Sequence, residues 1–205
     1  LICPCIPKIM SAKKLTFITG NPNKAKECSA IFNEKSSKLP NALNVYNYDI
    51  DLEEIQGTPY EVAYAKCKLA AENTKGPIII EDVSLCFNAL GGMPGPYIKW
   101  FLKTAKNKGL VAMLDAYKDK SAVAMCCMAF TEGKGKKITV FEGKTKGTIV
   151  PARGKNDFGW DPIFQPEGYK ETYAELDDDI KNKISHRRQA VEMLRDFLAD
   201  KMDVL

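Results

Sequence analysis

Several short stretches of the chain combine residue types and spacings that suit phosphate chemistry. Thr19-Gly20-Asn21-Pro22-Asn23-Lys24 closes a β-branched run and opens a helical pattern. Asn21 is a natural N-cap and Pro22 suits the first helical position. A helix N-terminus carries N–H groups without intrahelical partners and the positive end of the dipole, which favours an anion. Lys24 adds a full charge in the first turn. A common strand-to-helix turn with an exposed lysine fits the segment about as well. Neither G-x-x-x-x-G-K-[ST] nor G-x-G-x-x-G occurs, so standard NTPase and dinucleotide readings fail. Glu81-Asp82 follows Pro77-Ile78-Ile79-Ile80, the most apolar strand candidate. Acids at the end of a buried strand are costly unless they bind something, and open α/β sheets place ligands at that edge. Glu53-Glu54, in the loop after the second strand, can reach the same edge. Two or three carboxylates with water make an octahedral oxygen site suited to Mg²⁺ rather than zinc. The plain alternative is capping and loop carboxylates; burial of the strand favours a site.

Lys66 lies four residues from both Val62 and Ala70 on an apolar helical stripe, and Lys99 sits between Ile98 and Trp100. Such lysines usually snorkel to water, and otherwise point into a cleft. Arg187 precedes Val191 by four residues, on the buried stripe of the last helix, where it needs an anionic or planar partner. A protein carboxylate would serve as well as a ligand. Phe158-Gly159-Trp160-Asp161-Pro162 can stack a base and read its edge, or simply pack as an aromatic turn. Asp177-Asp178-Asp179 cannot share one face and reads as a solvated segment near a helix start. Gly133 to Lys137 reads as a hairpin turn with exposed charge.

Elements must position these residues. Leu15 to Thr19 reads as a strand, followed by a helix to about Asn33, and Val45 to Ile50 as a second strand. A helix follows over about Pro59–Asn73, with Val62, Ala63, Leu69 and Ala70 on one stripe. Pro77 to Ile80 is a buried strand ending in the acidic pair. Gly91 to Pro96 is a stiff loop, and Tyr97 to Thr104 and Leu110 to Tyr117 look helical. Ala122 to Phe130, Lys137 to Glu142 and Lys144 to Val150 read as a three-strand antiparallel meander. A loop covers Pro151 to Tyr169, and a last helix spans about Ser185 to Lys201, with Ala190, Val191, Leu194, Phe197 and Leu198 inward. This order predicts an α/β fold with a mixed sheet and helices on both sides.

The 205 residues suit one ordinary domain, and at that size roughly 70% of the unfolded surface can be buried. The charge of +4 suits a phosphorylated ligand better than it demands nucleic acid. A single histidine, His186, excludes a three-His zinc site and any two-histidine mechanism. The seven cysteines contain no C-x-x-C pair and read as free thiols in a reducing compartment. The longest apolar run, Ala122 to Phe130, is too short to span a bilayer. Residues 1–12 are expected to be a disordered or added extension, with Met10 the natural start, and 13–205 one two-lobed unit.

Together these stretches resemble the inosine triphosphate pyrophosphatase (Ham1) family, in the wording of its eukaryotic branch. The resemblance rests on Thr19-Gly20-Asn21 with Lys24, Glu54 before Gln56-Gly57, Lys66-Cys67, Glu81-Asp82, Phe87 to Phe101, Phe158 to Pro162, and Lys181-Asn182 with Ser185-His186-Arg187. It runs in order from Lys14 to Leu198. It implies an elongated mixed sheet flanked by helices, two lobes with the nucleotide between them, and a cytoplasmic homodimer without nucleic-acid or membrane partners. The implied reaction is hydrolysis of ITP, dITP and XTP to monophosphate and pyrophosphate with Mg²⁺, or Mn²⁺ in its place. Thr19 to Lys24 (Thr19, Gly20, Asn21, Pro22, Asn23, Lys24) would hold the triphosphate. Glu54 and Asp82 would bind the metal, with Asp82 also the base for the attacking water, and Lys66 and Lys99 would contact phosphates. Phe158, Gly159, Trp160, Asp161, Lys181, His186 and Arg187 would contact base and sugar. Val83 departs from the family's Thr or Ser after Glu-Asp and removes a hydroxyl, while its N–H and Ser84 remain. Two rival readings are a related-fold pyrophosphatase for modified pyrimidine nucleotides and a non-catalytic nucleotide binder.

Overall fold

A computed structural model describes residues 13–32, 43–48, 52–155 and 158–201, with the side chains of 13, 14 and 43–48 left aside. The expectations for 1–12 therefore lie outside the described residues.

The strands are β1 (Lys13–Ile18), β2 (Leu43–Tyr48), β3 (Ile78–Phe87), β4 (Pro94–Gly95), β5 (Ser121–Thr131), β6 (Ile138–Ile149) and β7 (Phe164–Pro166). The helices are α1 (Pro22–Phe32), α2 (Pro59–Asn73), α3 (Ile98–Ala112), α4 (Asp178–Ile184) and α5 (His186–Asp200). One mixed sheet runs β2-β1-β3-β5-β6-β7, with β4 paired to β3. The β2, β1 and β3 strands are parallel, and the β3, β5, β6 and β7 neighbours are antiparallel.

Side chains of β3 alternate across the sheet, as the pleat requires. Ile79 faces a core built with Phe17, Ile31, Val191 and Leu194 from β1, α1 and α5. Ile78 and Ile80 face Ala63, Cys67 and Ala70 of α2. A third core lies toward the other end of β3, where Leu85 and Phe87 meet Leu110 of α3, Trp160, Phe164 and Tyr173. Full burial of each such side chain contributes about 1.5–3 kcal/mol before ordering entropy is subtracted.

α2 spans its expected range. A capping box fixes its start: the Thr58 hydroxyl accepts from the Glu61 N–H, and the Glu61 carboxylate accepts from the Thr58 N–H. Its buried stripe includes Cys67, while Leu69 is only half-buried.

Three expectations are corrected. β3 continues through Glu81-Asp82 to Phe87, because β5 pairs with it along its whole length. The segments 137–142 and 144–150 form one strand, β6, and the meander's outer strand is β7. Gly143 continues β6 because a helix lies against it: a Cβ there would fall 2.0 Å from the His186 carbonyl oxygen and 2.6 Å from the Ala190 nitrogen. The two helices expected over 97–117 are one kinked element, α3, followed by turns.

The topology leaves a gap. β1 pairs with Ile78 to Ile80 of β3, and β4 pairs with Leu85 and Cys86. Since β5 occupies the opposite edge of β3, β1 and β4 share the same one, and Glu81 to Ser84 lie uncovered between them.

Candidate active site

A cavity of about 560 Å³ opens at this gap. The loop after β1, the Glu54 loop, α2 and β3 form one end. The Phe158 loop and the start of α5 form the other, and the front of α3 reaches both, with Lys99 near Glu54 and Leu102 toward Gly159.

At the first end, Asn21 caps α1. Its Oδ1 accepts from the N–H groups of Asn23 (3.0 Å) and Lys24 (3.3 Å), and its own N–H donates to Thr19 Oγ1 (3.2 Å). The cap thus occupies two of the N–H groups that the helix start offers an anion. Thr19, Gly20, Asn21 and Lys24 line the cavity. Pro22 begins the helix and Asn23 is exposed, and neither lines it.

Lys66 reaches from α2 to Glu54 Oε1 and Asp82 Oδ1, each at 3.0 Å. Lys99 lies 3.9 Å from the same Glu54 oxygen and is mostly exposed. Burial would lower the Lys66 pKa, but Asp82 and Glu54 outweigh it and raise it. Burial pushes Asp82 above its ordinary range, against the opposing pull of Lys66 and Lys24. Glu54 is held low because Lys66 overcomes its partial burial. Asp82 Oδ2 is buried and has no hydrogen-bond partner among the described residues. No cluster of three or more His, Cys, Asp or Glu forms among the described residues. The two carboxylates still share one cation, and the orphaned oxygen could take a second, so they fit a hard divalent ion.

Glu81 and Asp82 diverge. Asp82 lies on the α2 side, while Glu81 points to the α1 and α5 side and binds Arg187 through Nε (2.5 Å) and Nη2 (3.2 Å). Lys24 Nζ stands 3.3 Å from Glu81 Oε2, and the Cys126 thiol donates to Oε1 at 3.3 Å. Burial alone would raise the Glu81 pKa, but Arg187 and Lys24 hold it at about 2. Glu27 of α1 joins the network through Arg187 Nη1 and, at 2.8 Å, Lys181 Nζ. From sequence, Glu81 was grouped with Asp82 among the edge carboxylates that could hold a metal, whereas it binds Arg187 and Lys24 on the other face, and Glu27 was not singled out. Glu81 carried the signal of a charge on a buried strand. Glu27 looked like any helix-surface acid, three residues beyond Lys24.

At the other end, Phe158, Gly159, Trp160, Asp161, His186 and Arg187 line the cavity. Lys181 lies behind them, buried, paired with Asp161 and Glu27, with its Nζ 5.0 Å from the Phe158 ring centroid. Burial raises the Asp161 pKa to about 6, although Lys181 opposes it. His186 packs against Trp160 (5.5 Å between centroids) and Tyr173 (6.0 Å). Burial, then Arg187, push its pKa well below the ordinary value, so the ring is neutral. Neither of its ring nitrogens has a hydrogen-bond partner among the described residues. Arg187, anticipated as a base contact, spends three donors on Glu81 and Glu27. Val83 also lines the cavity.

Fold and cleft define an α/β protein with a cavity at the carboxyl end of β1, where the open edge of β3 joins two halves of a mixed sheet. Residues 15–197 match the Ham1 family model. The chain is 51% identical over 186 residues to an inosine triphosphate pyrophosphatase of Fusarium vanettenii, covering 91% of this chain and 96% of that one. It is 50% identical over 189 residues to another so named from Scheffersomyces stipitis, covering 90% and 97%. The fold superposes on the Ham1 proteins of Staphylococcus aureus (TM-score 0.78, 29% identity, 92% and 100% covered) and Coxiella burnetii (0.79, 30%, 91% and 98%). The chain belongs to the Ham1 family.

Proposed function

We propose that this chain hydrolyses non-canonical purine nucleoside triphosphates, ITP, dITP and XTP, to the monophosphate and pyrophosphate. The observation that carries this reading is one cleft with lysines and carboxylates at one end and aromatic rings beside a neutral histidine at the other. That polarity suits a nucleotide lying across β3, and two relatives of about half identity are named inosine triphosphate pyrophosphatases.

In this reading Lys24, Lys66 and Lys99 neutralise the triphosphate. At about 4 Å and an effective dielectric near 20, each cation contributes on the order of 4 kcal/mol before desolvation. Asp82, its pKa raised by burial, accepts the proton of the attacking water, and the lysines stabilise the departing pyrophosphate. Glu54 and Asp82 would hold Mg²⁺, or Mn²⁺ in its place, which supplies further charge neutralisation when bound. Phe158, Trp160 and Asp161 flank the base, with Lys181 supporting Asp161 from behind. His186 or Arg187 faces the 6-oxo acceptor that hypoxanthine and xanthine carry where adenine has a donor. A mismatched donor costs about 1–3 kcal/mol. Guanine shares the 6-oxo group, so rejection of GTP requires a contact near its 2-amino group. The resemblance further implies a cytoplasmic homodimer. The five free cysteines among the described residues suit a reducing compartment, and sedimentation velocity tests the dimer.

The deciding experiment measures pyrophosphate released from ITP, XTP, dITP, GTP, ATP and dUTP, with Mg²⁺ and with EDTA. The expected result is a kcat/KM for ITP, XTP and dITP at least about tenfold above ATP and dUTP, lost in EDTA. Equal turnover of ATP would dismiss the base filter. Preference for dUTP would favour a pyrimidine enzyme, and no pyrophosphate from any of them would favour a binder.

A further inference from the structure

α3 carries the one positive-φ non-glycine residue among the described residues, Lys106, at φ 58°, ψ −179°. This region is essentially reserved for glycine, and a side chain held there is strained. The reversal splits the helix. The front half sends Lys99 and Leu102 to the cavity, while Leu110 of the rear half is buried in the third core. The rear half follows closely because residue 109 is glycine: a Cβ there would fall 2.5 Å from that of Ala105.

Breaking the helix places Asn107 where its amide nitrogen donates to the Gly159 carbonyl at 3.0 Å, a contact spanning 52 residues of sequence. Gly159 is the bend of the loop that lines the cavity. The Asp161 N–H donates to the Phe158 carbonyl across it, and the Ile163 N–H donates to the Trp160 carbonyl just beyond, each at 3.1 Å. Leu102 of the front half lies 3.7 Å from the position a Gly159 Cβ would take. Leu102 of the front half thus borders the space a Gly159 side chain would enter, and Asn107 of the rear half hydrogen-bonds the Gly159 carbonyl. The amide has one useful orientation, since its oxygen would repel the Gly159 carbonyl; that oxygen is buried and has no partner among the described residues.

We propose that Asn107, delivered by the reversed backbone at Lys106, is a positioning residue that holds the Phe158–Asp161 loop against the nucleotide. Its hydrogen bond goes to the base-side loop and not to Glu54, Lys66 or Asp82, so it governs affinity rather than turnover. This rests on the reading of the cleft as a nucleotide site.

The test uses the full chain, with steady-state pyrophosphate release from ITP, thermal melting, and hydrogen exchange of the peptide covering 158–164. Asn107→Ala should raise KM about tenfold with kcat within about twofold, the scale of one lost hydrogen bond. Asn107→Asp should raise KM further, because a carboxylate then faces the carbonyl. Lys106→Gly should leave KM unchanged and raise Tm by about 2–4 °C through relief of strain. Exchange over 158–164 should quicken in Asn107→Ala and not in Lys106→Gly. An unchanged KM in Asn107→Ala, or a fall confined to kcat, would overturn the proposal. If the wild type releases no pyrophosphate from ITP, the nucleotide reading fails. The hold on the loop is then judged by exchange, and equal rates in Asn107→Ala and wild type would refute it.

Discussion

Asp82 and Glu81 are neighbours in sequence with different work. Asp82 shares Lys66 with Glu54 and keeps a buried oxygen unpaired, which makes it the best-placed proton acceptor in the cleft. Asp82→Asn should fold normally, with a Tm near wild type, and lose pyrophosphate release by at least about 100-fold. Near-normal turnover would remove it from the mechanism. Glu81 instead neutralises Arg187 and Lys24 inside the protein. Glu81→Gln leaves those cations facing a neutral amide. Breaking a buried pair costs about 3–5 kcal/mol, so urea unfolding at pH 7 should show a loss near 3 kcal/mol, since Arg187 retains Glu27. A change below about 1 kcal/mol would mean that the network does not hold the fold. The need of Arg187 for an anionic partner was legible from its position four residues before Val191. That the partners would be Glu81 and Glu27 was not, because they lie 106 and 160 residues away.

Elements were read best where local chemistry decides them. The capping box and Pro59 set the start of α2, and the Asn21-Pro22 pair set that of α1. Errors arose where a partner element overrides local preference. Gly143 resembles a turn residue, yet it lies inside β6 because α5 needs the space a Cβ would fill. Gly143→Ala should therefore force α5 off the sheet. We expect a loss of about 3 kcal/mol in urea unfolding, at the upper end for overpacking, or failure to accumulate as soluble protein. Gly168→Ala is the control: φ is +84° but a Cβ meets nothing within 4 Å, so only the modest backbone penalty, about 1 kcal/mol, applies. Equal stability of the two variants would show that the α5 contact is looser than the packing indicates.

At the scale of the whole molecule, folding stability reports the protonation of buried groups. His186 has a folded pKa well below its ordinary value of 6.5, so the unfolded chain binds a proton that the folded chain refuses. Its contribution is complete above about pH 6.5 and is lost as pH falls, at up to about 1.4 kcal/mol per pH unit. Asp161 runs the other way. With a pKa near 6 instead of 3.8, it takes up a proton on folding within that window, so its contribution rises as pH falls. Comparing wild type with His186→Gln at pH 7 and pH 5.5 isolates the histidine, and only the wild type should carry its acid-side loss. Parallel stability curves would show that the ring is not held neutral.

The amino-acid sequence by itself determined most strand and helix types, the cap of α1, the apolar faces and, at the site, Glu54, Asp82, the lysines and the aromatics, though not Glu27. All of these follow from short-range periodicity or from residue chemistry. Tertiary structure alone decided the gap on β3 between β1 and β4, the continuation of β3 through Glu81 and Asp82, the unbroken run of β6 and the reversal at Lys106. Each depends on pairing or close approach between segments far apart in the chain. A local pattern carries the preference of a residue, but not which distant backbone will occupy the space beside it.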